Sequence, residues 1–239
     1  MKSNNQLMLD VTISDLFSFD TFYIEDRNVW VIEQLKAALL DLRRSEYYLY
    51  TIVGESGSGK THVCNSLIQF AQFRNIPITS INANLLVGER PGIDGAILPP
   101  ARNGVLLIDD AHLLTNNQAL EKLLFFLIEE GNETNYPTIL FLKDWQASLG
   151  DITSRITSNC ILELHALSDS TLATVIKKRC NYKGLLISDQ TVEYMLKHLP
   201  RDGKNMQFVL TALDALSLVQ GKKTITIPLV KSLIYSKKA

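Results

Sequence analysis

The chain has 239 residues, 46% hydrophobic and 21% charged, with a formal net charge of −1. That is ordinary for a soluble globular protein, and long enough for one domain with a small appendage. No apolar run approaches the ~20 residues that cross a bilayer. Three widely spaced cysteines, Cys64, Cys160 and Cys180, suit reduced cytosolic thiols rather than a disulfide frame or metal site.

The charge is uneven. From Thr171 onward there are 12 Lys and Arg against 4 Asp and Glu, a net of +8. The totals of 24 and 25 leave 12 against 21 before that point, a net of −9. A basic C-terminal third fits nucleic acid or an acidic partner surface, and equally a solvated helical face.

The first residues, Met1 to Asn5, do not form a signal sequence. Residues 1–12 read as a flexible N-terminal segment holding Gln6, Leu7, Met8, Leu9 and Asp10. Alternating Leu7 and Leu9 suit an extended peptide that inserts side chains into another protein's pockets, or a strand capping this chain's own sheet. Phe19-Asp20-Thr21-Phe22 follows. Its two aromatics suit a linker lying over a nucleotide base, or simple core filling. A helix is expected from Asn28 to about Leu42, with Trp30, Val31, Leu35, Ala38, Leu39 and Leu42 on its apolar face.

Tyr48 to Val53 is β-branched and aromatic, as a buried strand should be. It runs into Gly54-Glu55-Ser56-Gly57-Ser58-Gly59-Lys60-Thr61, which has the spacing G-x-x-x-x-G-K-T. Glycines there let the backbone turn tightly and aim N–H groups at an anion. Lys60 adds a mobile positive charge for the outer phosphates, and the Thr61 hydroxyl suits Mg2+. Val63, Leu67, Phe70 and Ala71 then recur at helical spacing up to Phe73. A helix beginning at Lys60 points its positive end at the phosphates. The strand, loop and helix together predict a nucleotide phosphate site.

Ile76 to Ile81 reads as a short strand and Gly88 to Asn103 as an irregular loop. Gly104 to Ile108 is a run suited to a strand buried on both faces, ending at Asp109 and Asp110. That edge is where open α/β sheets bind ligands. Asp109 suits Mg2+ through its water shell, and Asp110 suits orienting or deprotonating an attacking water. Ala119 to Glu130 is an amphipathic helix with Leu120, Leu123, Leu124, Leu127 and Ile128 inward. Thr138 to Leu142 is another buried strand, followed by Asp144, which suits a hydrogen bond to the attacking water or a turn cap. Arg155 lies in a polar stretch with Asp151 as its one local acid, and suits a phosphate bound by a neighbour or a surface ion pair. After a last strand, Cys160 to Leu164, three helices are expected: Ser170–Asn181 capped by Ser168, Asp189–Leu199 capped by Ser188, and roughly Lys204–Gln220. A short fourth helix opens at Ile227.

On these residues the chain resembles the AAA+ ATPases of the bacterial initiator, or DnaA, type. Phe19-Asp20-Thr21-Phe22 with Asn28 looks like their linker, and Gly59-Lys60-Thr61-His62 with Leu106-Leu107-Ile108-Asp109-Asp110 like their phosphate loop and acidic strand. Asp144 falls at the sensor 1 position, and Ser154-Arg155-Ile156 at the arginine-finger box. The layout begins just ahead of the ATPase core and stops after the lid, which is similar to the DnaA-related regulators of the Hda type. Thr226 to Lys231 looks like their C-terminal ending, and Gln6-Leu7-Met8-Leu9 like their motif for the DNA polymerase sliding clamp.

The resemblance implies a P-loop three-layer αβα sandwich with a parallel sheet over residues 13–166, followed by a small all-helical lid over 167–239. It implies ADP or ATP and Mg2+ as cofactors, held by Gly54 to His62, with Thr61 and Asp109 toward the metal. It implies a cytoplasmic protein gathered by the clamp, reaching DNA indirectly, and stimulating hydrolysis of DnaA-bound ATP through Arg155. A homo-oligomer stays open, and a membrane is not expected. Gln207 falls where DnaA proteins carry the sensor 2 arginine, and neutral Gln does not stabilise phosphoryl charge. An activator is therefore expected rather than a turnover enzyme. The alternative is a free-standing ATPase, such as a helicase loader or transposition helper, stimulated by single-stranded DNA.

Overall fold

The computed structural model describes residues 19, 24–41, 47–87, 104–143, 150–199, 209, 212–213 and 223–236. Gln6 to Leu9, Phe22, the Gly88–Asn103 loop, Asp144 and Gln207 lie outside them.

Helix α1 (Asp26–Leu40) leads into strand β1 (Leu49–Val53), then helix α2 (Lys60–Phe73) and strand β2 (Ile78–Asn82). A single turn, α3 (Asn84–Val87), precedes β3 (Val105–Asp109), and a 3₁₀ helix over Ala111–Asn116 precedes α4 (Gln118–Thr134). Strand β4 (Thr138–Leu142), helix α5 (Gly150–Thr157) and strand β5 (Cys160–Glu163) complete the first unit. The five strands form one parallel sheet in the order β2-β3-β4-β1-β5.

The aliphatic runs explain this arrangement. A strand buried on both faces has no room for an alternating polar face. Tyr50, Ile52, Leu107, Ile139 and Phe141 pack with α1 and α2 on one side. Their neighbours Leu49, Leu106, Ile108, Leu140 and Leu142 pack with α4 and α5 on the other. Three layers result, as expected.

Two elements differ from the sequence expectation. Trp30 is 57% exposed, whereas Ile32 is buried. The buried stripe of α1 runs Asn28, Val31, Ile32, Leu35, Ala38 and Leu39, and Trp30 falls off it. The polar stretch around Arg155 is helix α5, held to the core by Ile152 and Ile156, one turn apart and both fully buried. Phe19 fills core: it meets Phe70 edge-on at 6.2 Å, with the Lys36 ammonium 4.3 Å from its ring centre.

The lid contains α6 (Asp169–Tyr182), α7 (Asp189–His198) and a C-terminal helix over Ile227–Ser236. Ser168 and Ser188 cap α6 and α7, accepting from Thr171 N and Thr191 N. Leu172, Ile176, Cys180, Val192, Met195, Val209, Leu213, Ile225 and Val230 form its separate core. The lid departs from an all-helical bundle in one detail. Strands β6 (Leu186–Ile187) and β7 (Thr224–Ile225) pair in parallel and tie the connection after α6 to the start of the C-terminal helix.

Candidate functional site

The phosphate-loop residues sit between β1 and α2 at the C-terminal edge of the sheet. Gly57 and Gly59 have φ of 86° and 97°, a region that side-chain-bearing residues rarely adopt. Gly54 is constrained by space instead: a Cβ there collides with the Leu164 carbonyl oxygen and Ser58 Oγ. The loop therefore closes tightly only with glycine at its first position. Lys60 is buried and folds back into the loop, donating from Nζ to Gly54 O at 2.6 Å and Glu55 O at 2.9 Å. The buried Ser58 hydroxyl has no hydrogen-bond partner among the described residues. Thr61 and His62 occupy the first turn of α2.

The acidic pair lies at the same sheet edge. Asp109 is the buried last residue of β3, paired in register with Asn82. Asp110 turns left-handed at φ 54°, a conformation that Asp tolerates better than most, and its N–H donates to Asp109 Oδ1 at 3.1 Å. Asn84 donates from Nδ2 to Asp110 Oδ2. Burial pushes the Cys64 thiol well up, and the Asp109 charge adds to it. Cys64 stands one turn into α2 beyond Lys60, so the Asp109 charge is felt at that turn. The Gly54 N–H donates to Leu142 O at 3.1 Å, which puts the end of β4 beside the loop. Among the described residues no cluster of three or more His, Cys, Asp or Glu could hold a metal ion, and no helix is long and apolar enough to cross a membrane.

The start of α1 clasps the connection from sheet to lid. The Asn28 side chain is fully buried; it donates from Nδ2 to His165 O at 2.8 Å and accepts from His165 N at 3.0 Å. Arg27 Nη2 donates to Ala166 O at 2.6 Å. The Glu25 carboxylate accepts from Ser168 N, the cap of α6, and that bond is the chief reason its pKa falls to about 2. Leu164, which crowds Gly54, begins this same connection.

Arg155 is elsewhere. Helix α5 ends just before β5, whose first residue Cys160 pairs with Tyr50 near the start of β1. Arg155, in the last turn of α5, therefore sits toward the N-terminal edge. A five-residue strand, about 16 Å at ~3.3 Å per residue, separates that edge from the loop. Its partner is Glu129 of α4, not Asp151: Nη2 donates to Oε2 at 3.0 Å and lies 2.9 Å from Oε1. The Arg155 side chain remains 41% exposed. The Tyr47 phenol is pushed up to about 12, mainly by burial; neighbouring Thr138 lowers it, the Glu129 charge raises it and Arg155 lowers it.

Sequence reasoning missed Asn84 and Glu129. Each lies 26 residues from the side chain it touches, and only the pairing of β2 with β3 could have signalled the first.

A parallel β2-β3-β4-β1-β5 sheet with a phosphate loop after β1, an acidic strand end and a separate lid defines an AAA+ fold. Solved structures agree: domain III of Thermotoga maritima DnaA superposes with a TM-score of 0.70 at 15% identity, over 92% of this chain and 96% of that one. AMPPCP-bound DnaA from Aquifex aeolicus gives 0.66 at 18%, over 83% and 64%. Residues 169–234 match the family model described as "Hda, lid domain". Among curated proteins, an uncharacterised Haemophilus influenzae protein is 26% identical over 97% of this chain and 99% of its own length. The Campylobacter jejuni replication initiator DnaA is 23% identical over 98% of this chain; the chain spans 57% of that relative. The chain thus has an AAA+ fold, is similar to DnaA over nearly its whole length, and carries a C-terminal segment that matches an Hda-type lid.

Proposed function

We propose that this chain is a clamp-tethered regulator that stimulates hydrolysis of ATP bound to DnaA, and so restrains initiation of DNA replication. One observation carries the reading. Arg155 is half-exposed and stands at the sheet edge away from its own phosphate loop. That position suits a guanidinium serving a nucleotide held by another molecule. An arginine supplied in this way stabilises charge on the transferring phosphoryl group, an effect worth about 10³–10⁵ in rate. The relation to DnaA supports DnaA as that other molecule.

The chain's own loop fits a nucleotide. Lys60 already donates to oxygens inside the cradle, and the Ser58 hydroxyl waits there for a partner. Gly54 to His62 would hold ADP or ATP, with Thr61 and Asp109 toward Mg2+. The bound ion would supply charge neutralisation at the phosphates. Asp110, restrained by Asn84, would orient water, with Asp144 as a second contact. Gln207 at the sensor 2 position keeps this chain's own turnover weak. A structural relative solved with AMPPCP is consistent with nucleotide binding here.

Gln6, Leu7, Met8 and Leu9 supply the tether to the sliding clamp, bringing the protein to DNA in the cytoplasm. Clamp binding by the full chain tests that part. Gln6→Ala and Leu9→Ala should each weaken it at least about tenfold, a loss of ~1.4 kcal/mol. Wild-type affinity in both variants removes the tether.

A further inference from the structure

The Arg155 ion pair gives a role to a side chain that the proposed activity does not name. Glu129 lies on α4, and α4 is not free to shift there. Two residues on, at Gly131, the helix backbone meets Thr138, Tyr47 and Tyr136 so closely that a Cβ would lie 2.8 Å from Thr138 Oγ1 and 2.9 Å from the Tyr47 ring. Arg155 stands on α5, between Ile152 and Ile156, which are both fully buried. Two fixed backbones therefore carry the two halves of the pair. The Glu129 side chain is the more buried, 26% exposed against 41%, so the anion is the anchor and the cation the projecting partner.

The contact uses one guanidinium nitrogen. Nη2 touches both Glu129 oxygens, and among the described residues the Arg155 side chain has no second partner. An unrestrained arginine carries rotamer entropy that must be lost when it grips an anion. A guanidinium already held at Nη2, on a side chain still 41% exposed, has lost part of that freedom before the partner arrives.

We propose that Glu129 is a positioning residue for Arg155. It keeps the guanidinium projecting from the α4–α5 face in the orientation that engages phosphoryl oxygens on the docked partner. The proposal rests on the reading of Arg155 given above. It commits to a sign: Glu129 assists Arg155 and does not withhold it.

The test uses the full chain, loaded clamp and DnaA pre-charged with ATP. The maximal hydrolysis rate and the half-saturating concentration are measured separately. Glu129→Ala should lower the maximal rate by about tenfold with the half-saturating concentration little changed, since orientation rather than docking is lost. Glu129→Gln, which keeps the shape and one acceptor oxygen, should fall between, and so guards against misfolding of the Ala variant. Adding Glu129→Ala to Arg155→Ala should cost nothing further, because the two act as a unit. Rates equal to or above wild type in both Glu129 variants overturn the proposal, the latter outcome making Glu129 a latch. Full activation by Arg155→Ala overturns instead the reading on which it rests.

Discussion

At the scale of single residues, spacing and space decide. Lys60 donates into its own loop, which fixes its charge there. Lys60→Ala should abolish nucleotide binding, measured by titration with a fluorescent ADP analogue, while leaving the melting temperature of the nucleotide-free protein near wild type. Binding within a few-fold of wild type would refute the loop's role. Gly131 sets two magnitudes against each other. Ala gains about 1 kcal/mol of helix propensity, but overpacking against ring and strand atoms costs about 1–3 kcal/mol. The neighbours are a Tyr47 ring carbon and Thr138 Oγ1 on β4, neither the loose end of a flexible chain. Gly131→Ala should therefore lower the melting temperature by a few degrees, at roughly 2–4 °C per kcal/mol. An unchanged or higher melting point contradicts the tight packing. The strand, glycine turn and helix around residues 54–61 were legible in the sequence because their signals sit in consecutive residues. Asn84 and Glu129 were not, because each meets its partner only after strands and helices have packed.

At the scale of elements, burial outranks composition. Helix α5 has eight residues, and only Ile152 and Ile156 are large and apolar. Its sequence reads as polar, yet those two side chains one turn apart fix it against the sheet and so aim Arg155. The clasp between α1 and the sheet-to-lid connection is likewise tertiary, joining residues 137 to 143 positions apart. Glu25 carries its pH signature. Its pKa falls from an ordinary 4.5 to about 2, first because Ser168 N–H binds the ionised carboxylate. A depressed carboxylate pKa means stability that is present above about pH 4.5 and is lost as pH falls toward 2. Glu25→Gln should thus melt below wild type at pH 7, and the gap should close progressively below pH 4.5. A gap that is constant from pH 7 to pH 3 would show that the clasp does not depend on that charge.

At the scale of the whole molecule, the parallel sheet was legible from its uninterrupted aliphatic strands, and the lid from its serine caps. The β6–β7 ladder was not, since two-residue strands leave no periodic trace. The topology puts two groups of charged residues at opposite edges: the loop at residues 54–61 with Lys60 and Asp109 at one, and Arg155 at the other. That separation is what the proposed role of Arg155 rests on. The most direct measurement is hydrolysis of ATP already bound to DnaA, followed in a single round with loaded clamp and this protein. Wild-type chain should accelerate it by orders of magnitude, and Arg155→Ala, still folded and clamp-bound, should give no acceleration. Equal acceleration by wild type and Arg155→Ala would contradict the account.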